Sequence, residues 1–143
     1  MRALVSQLHR GLAWLTLVGL LIQLYLAGAA AFGATSFAVH AFWGHVLGLI
    51  VIILAILAVV GGLGRQRIVL STLLFVLYIV QYALAEFRFT VPYAAALHAV
   101  NALAVLGTTA RLARAEPSTK AGTLQTAGRE TELVVQGEPR RPG

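Results

Sequence analysis

Apolar residues run almost without interruption through four stretches, 11–31, 37–61, 68–86 and 92–113, and polar residues gather between and after them. A helix needs about 20 residues to cross a hydrocarbon core roughly 30 Å thick. The pattern therefore predicts four transmembrane helices in one domain, 1–113, folded as an all-α integral membrane four-helix bundle. The first run follows Arg2 and Arg10, as the core of a signal peptide would. It is long for that role, and no small-x-small cleavage site leads from it into a polar domain, so it is read as a span. From 114 to 143 the chain turns to Gly, Pro, Ser, Thr, Glu and Arg. Such a segment cannot bury enough apolar surface to fold alone, and a polar, basic tail is expected, disordered unless a partner binds it.

Composition agrees with a membrane protein: of 143 residues, 59% are hydrophobic and 11% charged. Cysteine is absent, which excludes disulfide scaffolds, thiolate metal sites and cysteine nucleophiles. The net charge of +6 has a topological meaning. In a four-pass arrangement every Arg and Lys except Arg88 falls on one side, including the pair Arg65 and Arg67 between the second and third helices. By the positive-inside rule both termini and the 64–67 turn are expected in the cytoplasm, with 29–36 and 87–91 outside, in the inner (cytoplasmic) membrane of the cell. Attraction of these cations to anionic lipid is a secondary consequence. The charge gives no reason to invoke nucleic acid.

An internal repeat is visible at a shift of 58 residues. "IQLYLAG" at 22–28 falls on "VQYALAE" at 80–86, and "AVHA" at 38–41 falls on "ALHA" at 96–99 without a gap. Gln23/Gln81 and His40/His98 are the informative identities, because both residue types are scarce in so Ala- and Leu-rich a chain. Two hairpins inserted in the same sense are related by a pseudo-twofold axis along the membrane normal. His40 and His98 then share one depth on helices two and four, and both imidazoles can address the bundle axis.

One histidine from each of two facing helices is a way to build a cofactor site in a bundle core. Bis-histidine ligation of haem leaves no open coordination position and suits electron transfer. Zinc fits less well, since the chain has no Cys and no helix-interior carboxylate to complete four ligands. His45 complicates the ligand set. It lies about 7.5 Å deeper than His40 and about 140° around the helix, so the two cannot both reach one iron. The repeat favours His40 as the partner of His98, with His45 making a polar contact; the alternative is His45 as ligand and His40 on the rim. Gln23 and Gln81 lie on the same side of the membrane as the histidines, Asn101 lies one helical turn beyond His98, and all three are candidates to contact the cofactor or hold helices together. Gly44 and Gly48 suit either a flat ligand or close helix packing. His9 is expected at the interface with the anchors Arg10 and Trp14, and "GGLG" at 61–64 reads as a helix-ending turn.

"VLYIVQYALAEFRFTVPYAAALHAVNALAVL" at 76–106 resembles the closing helix pair of each half of haem A synthase, and "HAFWGHVLGLIVIILA" at 40–55 resembles the matching earlier helix. In that family histidines on helices two and four of a half-bundle ligate haem, which would carry over to His98 and to His40 or His45. This chain has one bundle where the family has two. It also lacks the glutamate that precedes a histidine in the family's catalytic half, having Phe37 and Phe42 three residues before its own histidines. The resemblance therefore implies the noncatalytic, haem b-holding half, or one of the related small four-helix bacterial membrane proteins with an "LH" fourth helix. The sequence thus predicts a b-type haem protein for electron transfer, without independent catalysis, embedded in the lipid bilayer with redox or membrane-subunit partners. The competing expectation is a haemless or pigment-binding accessory subunit of a respiratory or photosynthetic complex.

Overall fold

The computed structural model describes residues 1–115; the tail expected beyond them lies outside the described residues. Four helices follow one another: α1 (Arg2–Ala31), α2 (Phe37–Val60), α3 (Arg65–Glu86) and α4 (Pro92–Arg114), with one 3-10 turn at Phe87–Phe89 before α4. All four are long and apolar enough to cross a membrane, so the chain is a multi-pass membrane protein.

Local chemistry explains where each helix stops. At the end of α1 the amides of Gly33 and Ala34 turn back to the carbonyls of Ala30 and Ala29, and at the end of α2 those of Gly62 and Leu63 turn back to Val59 and Ala58. Both closures need a left-handed residue, supplied by Gly33 at φ 77° and Gly62 at φ 57°. Pro92 opens α4, where its missing N–H costs nothing, and Val91 before it is held out of the helical region at φ −137°, ψ 76°.

Each helix packs on its neighbours in the chain, and α1 closes the ring on α4. The diagonal pairs, α1 with α3 and α2 with α4, stay more than 8 Å apart at every Cα. The core is a narrow seam formed by Ala13 and Leu20 of α1, Leu47, Val51 and Leu54 of α2, Leu74 and Tyr78 of α3, and Val105, Leu112 and Ala113 of α4. These positions recur at three- and four-residue steps, one stripe per helix. Leu12, Trp43, Ile50, Leu70, Phe75, Leu77 and Leu106 pack partly buried against it, and many further large apolar side chains are exposed, as lipid requires.

Small residues set how closely neighbouring helices approach. A Cβ on Gly19 would lie 2.5 Å from Leu47 Cδ2, one on Gly44 3.0 Å from Gln23 Nε2, and one on Gly48 3.1 Å from Tyr82 Oη. Gly44 and Gly48, open on sequence grounds to either use, serve here as seats for side chains of α1 and α3.

Two expectations need correction. His9 is fully buried rather than interfacial. The helix that carries it begins at Arg2, so His9, Ala13, Thr16 and Leu20 form one continuous core stripe. Arg67, expected in the 64–67 turn, belongs to the first turn of α3, and it is 2% exposed.

Candidate functional site

The two hairpins make the same pair of hydrogen bonds near their loop ends. In the first, Gln23 Nε2 donates to the His40 carbonyl at 3.0 Å, and His40 Nδ1 donates to the Gln23 carbonyl at 3.2 Å. In the second, Gln81 Nε2 donates to the His98 carbonyl at 3.0 Å, and His98 Nδ1 donates to the Gln81 carbonyl at 3.0 Å. A carbonyl can only accept, so Nδ1 of each imidazole carries a proton, and on His40 the Gln23 amide N–H beside Nε2 makes that atom an acceptor. Each Gln–His clasp ties a helix to the one that follows it, where the short connection brings the helix ends together.

One step further along α2 and α4 a second correspondence appears. Trp43 Nε1 donates to the Gly19 carbonyl at 2.9 Å, and Asn101 Nδ2 donates to the Leu77 carbonyl at 2.9 Å. Trp43 and Asn101 are 58 residues apart, as are Gly19 and Leu77. Both residues offer an N–H, although their side chains differ in every other respect.

The halves are not equivalent. Asn101 also donates to Gln81 Oε1 at 2.6 Å, completing that amide. Trp43 has no second donor, and Gln23 Oε1 is buried with no hydrogen-bond partner among the described residues. The Gln23 amide also reaches His40 Nε2 at 3.2 Å, capping its lone pair. These differences follow from a single change of residue type at equivalent positions.

Across the α2–α4 diagonal the rings of His40 and His98 stand 6.3 Å apart, centre to centre, and inclined by 60°. Both are half-buried. His45 goes elsewhere: it is exposed, donates Nδ1–H to the Ala41 carbonyl of its own helix at 2.7 Å, and packs on Tyr82 with ring centres 5.3 Å apart. It lies against α3, beside a crevice that it shares with Gly48, Phe75, Tyr78 and Tyr82. Tyr78 closes the same region by donating to the Gly44 carbonyl at 2.9 Å.

At the opposite end, where both helix termini and the α2–α3 turn lie, a second polar group crosses the other diagonal. His9 Nε2 and Ser71 Oγ are hydrogen-bonded at 3.0 Å in a fully buried setting. Arg67 donates to Ser6 Oγ at 2.6 Å and to the Ala115 carbonyl at 3.0 Å, so one guanidinium joins α3 to the start of α1 and the end of α4. His9 and Arg67 are themselves 58 residues apart, a polar match that an identity-based comparison of the halves passes over. Glu86 and Arg88 form the exposed rim expected of them, 3.8 Å apart.

The chemistry open to these groups is limited. Among the described residues no cluster of three or more His, Cys, Asp and Glu could hold a metal ion by itself. The His40–His98 pair offers two imidazoles, which suits a group that brings further ligands of its own.

No curated protein and no solved structure matches the chain. Residues 23–90 match the model of a family described as a family of unknown function, DUF6220, a stretch that holds Gln23, His40, His45 and Gln81 and ends before His98 and Asn101.

Proposed function

We propose that this protein would hold a b-type haem through the imidazoles of His40 and His98 and use it for electron transfer within the membrane. The observation that carries the proposal is the pair of Nδ1–H bonds to backbone carbonyls. A ligating histidine needs its second nitrogen fixed in this way, because the bond sets the tautomer, aims the ring and raises the basicity of Nε2. The ring centres of His40 and His98 stand 6.3 Å apart across the α2–α4 diagonal, and these two residues would be the ones to hold the group. Gln23, Gln81 and Asn101 act as orienting groups around this pair, and His45 stands outside it against Tyr82. Bound haem supplies one-electron exchange with no open position on the iron. The protein's own task is to hold the rings, exclude water and keep the macrocycle at the depth of the loop-end histidines. Holding haem there would require the Gln23 amide to give up His40 Nε2, and in its present position the Oε1 of that amide has no hydrogen-bond partner among the described residues.

This reading carries a topology with it. The duplicated Gln–His clasps and the Trp43/Asn101 correspondence support an internal repeat of two parallel-inserted hairpins. The arginine distribution supports cytoplasmic termini in the inner membrane, with the haem toward the outer leaflet. The resemblance of 76–106 and 40–55 to the haem b-holding half of haem A synthase supports the same reading.

A second reading draws on the same bonds. Gln23, Gln81, Asn101 and both histidines already satisfy one another between neighbouring helices, which is how polar side chains bind membrane helices together. On that reading the chain is a haemless or pigment-binding accessory subunit of a larger respiratory or photosynthetic assembly. A reduced-minus-oxidised spectrum of the purified protein separates the two. The haem proposal expects b-type Soret and α bands that vanish in His98→Ala and His40→Ala and persist in His45→Ala. No such bands after haem reconstitution, with stoichiometric partner subunits copurifying, would overturn it.

A further inference from the structure

We propose that the groove between α3 and α4, at the end of the bundle that carries both termini, binds the phosphate headgroup of an anionic phospholipid. The groove has a volume of about 520 Å³ and is lined by Arg65, Gln66, Val69, Leu70 and Arg111. Its two cations come from different helices and face one space, a geometry in which two guanidinium forks can share one phosphate. Both stand at helix ends, level with lipid headgroups in a span of this length. One helical turn along α3, Val69 is exposed and Leu70 half-buried, giving an apolar wall down which an acyl chain can run.

The charge balance makes a negative ligand the natural occupant. Among the described residues the sole carboxylate is Glu86, at the far end of α3, where it faces Arg88. The first turn of α3 holds no acidic residue, and its N-cap, Gly64, offers no side-chain acceptor to the helix N–H groups. The partial positive charge of that helix end adds to the two arginines beside it. A lipid phosphate meets all of these donors while its tails remain in the bilayer, as in other basic pockets between transmembrane helices.

The test uses the full-length chain in detergent micelles, with phosphatidylglycerol or phosphatidylcholine of the same acyl chains added and bound lipid counted by native mass spectrometry. The wild type is expected to prefer phosphatidylglycerol, and R65Q/R111Q is expected to lower that preference about tenfold, the loss of roughly one charge-assisted hydrogen bond or more. R2Q/R10Q removes the same charge from the same end outside the groove and is expected to leave the preference within about twofold. Should the double variant not fold, the single changes R65Q and R111Q, both at exposed positions, are each expected to lower the preference. Equal retention of the two lipids by the wild type, equal losses in both double variants, or no loss in any groove variant would overturn the proposal. Full displacement of phosphatidylglycerol by millimolar inorganic phosphate would also overturn it, showing an anion site indifferent to lipid.

Discussion

The inequality of the two Gln–His clasps predicts that equivalent substitutions in the two halves have unequal costs. Gln81→Leu removes the bond to the His98 carbonyl and the bond accepted from Asn101. Asn101 is not orphaned by the change, because it keeps its bond to the Leu77 carbonyl at 2.9 Å. Interhelical hydrogen bonds in membrane proteins average about 0.6 kcal/mol and reach about 1.7, so the two together are worth roughly 1–3 kcal/mol. Gln23→Leu likewise removes two bonds, those to the His40 carbonyl and to His40 Nε2. It also removes Oε1, a buried acceptor with no partner among the described residues. Leaving such a group unpaired costs about 1–3 kcal/mol, so losses and gain offset, and Gln23→Leu is expected to change stability by less than about 1 kcal/mol. The measurement is unfolding by titration of SDS into mixed micelles, followed by the fluorescence of Trp14 and Trp43. A Gln23→Leu variant as unstable as Gln81→Leu, or more so, would refute the reasoning. Under the haem proposal the same substitution uncaps His40 Nε2, and haem reconstitution into Gln23→Leu is expected to be faster than into the wild type.

Two further outcomes follow from packing and burial. Ser71→Ala takes the partner from His9 Nε2, while His9 Nδ1 has none among the described residues. A buried imidazole left without bonds is expected to cost about 1–3 kcal/mol, and the same unfolding assay should show His9→Leu/Ser71→Ala to be more stable than Ser71→Ala alone. Gly19→Val drives a side chain into Leu47, which lies 2.5 Å from the position of a Cβ there. Overpacking of this kind costs about 1–3 kcal/mol, and Gly19→Val/Leu47→Ala should recover part of it in thermal unfolding; no recovery would place the strain elsewhere.

The sequence by itself determined the number of helices and their apolar character, because spanning a membrane requires about 20 apolar residues per helix and leaves few alternatives. It also singled out Gln23, Gln81, His40, His98 and Asn101, since polar residues are scarce in the spans. What it left open were directions around each helix. In a soluble bundle the polar face marks which side is outward, but here lipid-facing and core-facing positions are equally apolar, so periodicity says little about which residues meet. Only the packed bundle decided that His45 turns to Tyr82 while His40 turns to His98, and that His9 and Arg67 are buried at the opposite end. It also decided that Asn101 completes one clasp where Trp43 leaves the other open. That last difference depends on a second amide hydrogen, which Asn101 has beyond its bond to the Leu77 carbonyl and Trp43 lacks beyond its bond to the equivalent Gly19 carbonyl.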